Sequence, residues 1–74
     1  MNVLLFGVLA EVVGKPILKI QATDLDSLNK NLLIDFPKLK NYKFQVAVNK
    51  QKVEKNILLK DDDEIALLPP FAGG

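Results

Sequence analysis

The chain has 74 residues, 49% of them hydrophobic and 26% charged, with a formal net charge of +1. That is a globular composition, long enough for one small domain. With neither His nor Cys, the chain holds no Ser-His-Asp or Cys-His catalytic machinery, disulfide, thiolate cluster or ordinary zinc site.

No bound metal or cofactor is therefore expected. The ten lysines come without arginine and face nine acids. A general nucleic-acid binder carries a strong basic excess, so no nucleic-acid partner is expected. Val3–Ala10, the longest apolar run, has eight residues and is interrupted only by Gly7. A bilayer span needs about 20, and the run lacks the basic flank and cleavage site of a signal peptide. The expected location is the cytoplasm. A chain of this size buries only about 60% of its unfolded surface, so stability rests on a dense Leu, Ile and Val core.

In chain order, the Val/Leu/Phe-rich stretch Asn2–Leu9 reads as a strand buried on both faces. Gly14-Lys15-Pro16 is a turn. Over Ile17–Gln21, Leu18 and Ile20 alternate with Lys19 and Gln21, which marks a half-exposed strand hairpinned to the first. Thr23 or Asp24 opens a helix, with acids in its first turn. Leu25, Leu28, Leu32 and Phe36 recur at spacings of three and four, widened by Leu33. They give an amphipathic helix of about three turns, stopped by Pro37.

A polar, Lys-rich loop follows. Lys43–Val48 reads as a strand with Phe44, Val46 and Val48 on one face. Asn49-Lys50 reads as a turn, Gln51–Glu54 as a short strand, and Ile57-Leu58-Leu59 as a further apolar run. Lys60–Glu64 is a charged turn before the last strand, Ile65–Leu68. Pro69-Pro70 stops that strand, because proline has no N–H for a ladder.

One helix and one sheet make a two-layer α+β domain. If the last strand returns to pair parallel with the first in mid-sheet, the result is the β-grasp, or ubiquitin-like, arrangement. Residues 1–70 form that domain and residues 71–74 a flexible tail. Alternation sends Val3, Leu5, Ile65 and Leu67 toward the helix and Leu4, Phe6, Ala47, Ala66 and Leu68 to the other face. One helix covers one sheet face, so these five residues form an uncovered apolar patch, a surface for a partner, a loop or a second copy.

The tail is Phe71-Ala72-Gly73-Gly74. Two residues without Cβ let a narrow channel bring a terminal carboxylate to a reactive centre. Pro69-Pro70 stiffens the base, and Phe71 serves as an apolar anchor. Asp61-Asp62-Asp63-Glu64 reads as a solvated turn rather than a divalent-ion site. Lys38, Lys40 and Lys43 around Tyr42 form either a solvated loop or a surface for an acidic partner.

The stretch from Leu59 to Gly74, and above all Leu67-Leu68-Pro69-Pro70-Phe71-Ala72-Gly73-Gly74, resembles the MoaD-type sulfur carriers, the small subunits of molybdopterin synthase. Leu5-Phe6-Gly7 with Glu11 and Gly14, Phe36-Pro37, and Val46-Ala47-Val48-Asn49 match in place, so the resemblance spans nearly the whole chain. It implies that an adenylating enzyme related to ubiquitin activators charges the Gly74 carboxylate with ATP. A thiocarboxylate then forms. Inserted into the large synthase subunit, in a heterotetramer of two small and two large subunits, the tail gives its sulfur to cyclic pyranopterin monophosphate. The chain is then a sulfur donor and not catalytic alone. Leu4, Phe6, Ala47, Ala66, Leu68, Pro69, Pro70, Phe71, Ala72 and Gly73 are the expected partner contacts.

The chain departs from that pattern in four places. Val8 and Ala10 stand where the family often has basic residues, and Lys50 and Asp62 where it often has glycine. Lysine suits positive φ poorly, so another type of turn is expected at Asn49-Lys50. A thiamin-type sulfur carrier shares the Gly-Gly end, although Leu67-Leu68-Pro69-Pro70 speaks against it on family grounds. A ubiquitin-like protein modifier and a passive β-grasp interaction module are the other readings.

Overall fold

The computed structural model describes residues 1–70. In chain order the elements are β1 (Asn2–Leu5), α1 (Val8–Val13), β2 (Ile17–Lys19) and α2 (Leu25–Asp35). A 3₁₀ helix (Pro37–Asn41), β3 (Gln45–Val48), β4 (Gln51–Val53) and β5 (Glu64–Leu68) follow. The strands form one mixed sheet in the order β2-β1-β5-β3-β4. β5 returns to the centre, parallel to β1 and antiparallel to β3, while β1 and β2 form the N-terminal hairpin. This is the ubiquitin-like β-grasp expected from the strand order. Leu25, Leu28 and Leu32 of α2 meet Val3, Leu5, Leu18, Val46, Val48, Ile65 and Leu67 in a single core.

α2 starts where its residues dictate. Asp24 is the N-cap: its Oδ1 accepts from the Ser27 N–H at 2.8 Å, and Ser27 Oγ accepts from the Asp24 N–H at 3.2 Å. This reciprocal pair satisfies two amides that the first turn leaves free. Asn56 Oδ1 accepts from the Asp26 N–H at 2.9 Å and ties the later chain to the same helix end.

Several short elements differ from the sequence expectation. The strand expected over Asn2–Leu9 ends at Leu5, and Val8–Val13 is helical. A short all-apolar run has no period, so strand and helix read alike. The chain breaks at Gly7, with φ 59 and ψ −135, a conformation that glycine adopts freely. Leu9 then enters the core fully buried. α1 ends at Gly14 in the left-handed region, and the Gly14 N–H donates to the Ala10 carbonyl at 2.8 Å.

The Lys-rich segment expected as a polar loop is the 3₁₀ helix. Pro37 opens it and Leu39 is fully buried, a side chain whose burial contributes about 2 kcal/mol. β2, β3 and β4 are each shorter than expected. Ile57–Leu59, read only as an apolar run, lies between β4 and β5. Leu58 makes one bridge, to Asp24, and is 84% exposed.

The turn at Asn49-Lys50 corrects the expectation most directly. Both residues have positive φ, 51 and 71, the signature of a type I′ hairpin turn. Asn49 explains how lysine comes to sit there. Its N–H donates to the Glu64 carbonyl at 2.8 Å, its Oδ1 accepts from the Glu64 N–H at 3.0 Å, and its Nδ2 donates to Asp63 Oδ1 at 2.9 Å. These bonds lock the turn to the start of β5 and hold Lys50 in a left-handed conformation that costs a side chain about 1 kcal/mol. Lys50→Gly is therefore expected to stabilise the fold by about 0.5–1 kcal/mol, the relief being partly offset by a freer unfolded chain. Urea denaturation reads it. A lower midpoint would mean that Lys50 is not strained.

Asp63 also accepts from the Lys60 N–H, at 2.8 Å. This bond, with the Asn49 amide, holds its carboxyl below the usual aspartate value. Asp24 is lowered likewise by the Ser27 hydroxyl and N–H and by Asn56. A carboxyl that ionises more readily in the folded state adds stability above its unfolded pKa and loses it as pH falls through the folded one. Thermal melts should therefore show stability falling as pH drops below about 4. The decline should be shallower in Asp24→Ala/Asp63→Ala, and an equal slope in that variant would contradict the assignment.

Candidate functional site

Strand register places Ile17, Leu4, Ala66, Ala47 and Lys52 in one row across all five strands, on the face away from α2. Leu68 lies one step closer to the C-terminus, opposite Gln45. Beside it the Phe6 N–H donates to the Leu67 carbonyl at 3.2 Å, carrying the parallel ladder one residue beyond β1. The face assignments made from alternation therefore hold. Leu4, Ala66 and Leu68 are half-buried, and Phe6 is 45% exposed.

Two details of the patch differ. Ala47, expected to be uncovered, is only 7% exposed, because its methyl group is flanked on both sides by strands, opposite Ala66 on β5 and Lys52 on β4. Ile17, half exposed, adds to the patch beside Leu4. Period-two counting from Lys19 already assigned Ile17 to this face. The signal was in the sequence and the residue was missed.

The root of the tail is fixed by packing. Pro69 is half-buried and Pro70 exposed. A Cβ built on Gly7 would lie 3.2 Å from Pro69 Cγ, so the β1–α1 turn abuts the first proline with no room to spare. Gly7 was quoted in the sequence reading without this role. It is the close approach that positions the point where the chain leaves the sheet. Phe71, Ala72, Gly73 and Gly74, the remaining expected site residues, lie outside the described residues.

The sequence model of the ThiS family matches residues 3–74. The chain belongs to the ThiS family. Its solved relatives agree with that membership. A chain from the protein–protein complex of subunits 1 and 2 of molybdopterin-converting factor of Helicobacter pylori 26695 is 33% identical. The match covers 99% of this chain and 96% of that one, with a TM-score of 0.73. The small archaeal modifier protein 1 of Methanosarcina acetivorans is 27% identical over 99% of this chain and 94% of that one, with a TM-score of 0.84. The Haloferax volcanii protein of the same name is 24% identical over 100% and 98%, with a TM-score of 0.83, and shares the fold. This ThiS-family chain thus has the ubiquitin-like fold of the sulfur carriers. No helix among its described residues is long and apolar enough to cross a membrane.

Proposed function

We propose that the chain is the sulfur-carrying subunit of a molybdopterin synthase. The 33% identity to a chain of the Helicobacter pylori complex, over almost the full length of both, carries this reading. The Leu67-Leu68-Pro69-Pro70 stretch leading to Gly73-Gly74 supports it.

The chemistry needs no side chain of this protein. A carboxylate is a poor electrophile. The Gly74 carboxylate attacks the α-phosphorus of ATP in an adenylating enzyme, pyrophosphate leaves, and an acyl adenylate forms. A sulfur nucleophile supplied by a partner then displaces AMP and leaves a thiocarboxylate. In the large synthase subunit that sulfur bonds to cyclic pyranopterin monophosphate, and water cleaves its bond to the acyl carbon, which restores the Gly74 carboxylate. The domain's part is positional: the apolar face with Leu4, Phe6 and Leu68 docks, and Pro69 against Gly7 sets where the tail departs. The same reading puts its work in the cytoplasm, where ATP is available.

A second reading, conjugation to protein amines, draws on the resemblance to small archaeal modifier protein 1. Both readings begin with adenylation. Exchange of labelled pyrophosphate into ATP, catalysed by the cognate adenylating enzyme, should depend on the chain, and the charged chain should then yield a thiocarboxylate in the presence of a sulfur source. An exchange rate that ignores the chain contradicts both readings. Adenylation followed only by isopeptide products favours the second.

A further inference from the structure

The net charge of +1 conceals an uneven distribution. Lys15 stands just before Pro16, whose carbonyl accepts from the Leu5 N–H at 2.8 Å, at the end of β1 from which Gly7 reaches Pro69. Lys43 precedes Gln45, the register partner of Leu68. Lys38 and Lys40 lie on the 3₁₀ helix, which packs against α1 directly after Gly7. All four lysines are exposed, and among the described residues none is in a salt bridge. Glu11 and Asp35 are the acids at this end, and Glu54 near it is already paired with Lys52 at 3.5 Å. The opposite end gathers Asp24 at the α2 N-terminus and Asp61–Glu64 before β5, against Lys19, Lys50, Lys60 and the Met1 ammonium; Asp26 lies to one side, in a groove it shares with Phe44 and Gln45. In a molecule about 28 Å in its longest extent, the excess of lysine over acid therefore sits at the root of the tail, while the opposite end is close to balanced.

We propose that Lys15, Lys38, Lys40 and Lys43 form a collar that steers the chain tail-first onto a partner whose tail channel opens through a carboxylate-lined rim. Such a collar turns the tail toward negative potential before contact, which raises the association rate more than the affinity. Val8 and Ala10 leave α1 without a cation, and the collar supplies positive charge at that end of the fold. The inference rests on the carrier reading and names the chemistry of the partner at that same site.

Stopped-flow association with the adenylating enzyme tests it. Between about 0.01 and 1 M salt the Debye length falls from about 30 to about 3 Å, and the rate for the native chain should fall at least about tenfold. Lys38→Glu/Lys40→Glu should lower the low-salt rate about tenfold and flatten its salt dependence, leaving dissociation nearly unchanged. Lys30→Glu/Lys60→Glu, with the same change in net charge away from the tail, should behave like the native chain. Equal slowing by both pairs, or a native rate indifferent to salt, would overturn the collar while adenylation, and with it the carrier reading, stands. Failure of the native chain to be adenylated at all would overturn both.

Discussion

Deleting Gly74 should abolish adenylation while leaving the fold intact. The reacting atom is proposed to be the terminal carboxylate, and loss of one residue withdraws it by about 3.3–3.6 Å. A displacement of about 1 Å can already cost about a hundredfold in a positioned reaction, so the loss here should exceed a thousandfold. The hydrophobic core and the five-stranded sheet are built from residues that end at Leu68, so the melting temperature should not move. Binding of the truncated chain to the large subunit should weaken far less than its charging. A truncated chain that is still adenylated at the native rate would show that the end of the chain is not the working group.

The second large effect is at Phe6. This ring is 45% exposed beside Leu68, next to the root of the tail. In Phe6→Glu the carboxylate reaches water in the free protein, so stability should change little. In a complex the same carboxylate would be taken out of water among apolar groups. A desolvated anchor of this kind is worth at least about 2 kcal/mol, or roughly a thirtyfold rise in Kd for the large subunit. Isothermal titration reads the loss, and the urea midpoint provides the control. Unchanged affinity would remove the outer face from the interface. Unfolding would mean that Phe6 supports the core.

What could be read in advance follows from how each element is encoded. α2 was legible because Asp24 and the Leu25-Leu28-Leu32 stripe both point to one helix. The central place of β5 was legible because Ile65 and Leu67 alternate with Ala66 and Leu68 beside an equally apolar first strand. α1 was not, because six residues of Val, Leu, Ala and Glu carry too little period, and the signal that mattered was the backbone freedom of Gly7. Leu39 was hidden among lysines, one buried side chain in a helix too short to show a stripe. The hairpin turn was misread because Lys50 opposes the conformation it adopts, while the bonds that enforce it come from Asp63 and Glu64, far along the chain. The outer face could be listed from alternation alone, but the burial of Ala47 depends on its neighbours in two other strands. The contact of Gly7 with Pro69 joins residues that meet only after folding.

The central claim is that the carboxyl of Gly74 is converted to a thiocarboxylate. Intact-mass spectrometry of the chain after incubation with its adenylating enzyme, ATP and a sulfur source addresses that group alone. The account predicts a gain of about 16 Da, sulfur in place of one oxygen, lost again when Gly74 is deleted. An unchanged mass in a reaction that consumes ATP, or a gain that survives removal of Gly74, would contradict it.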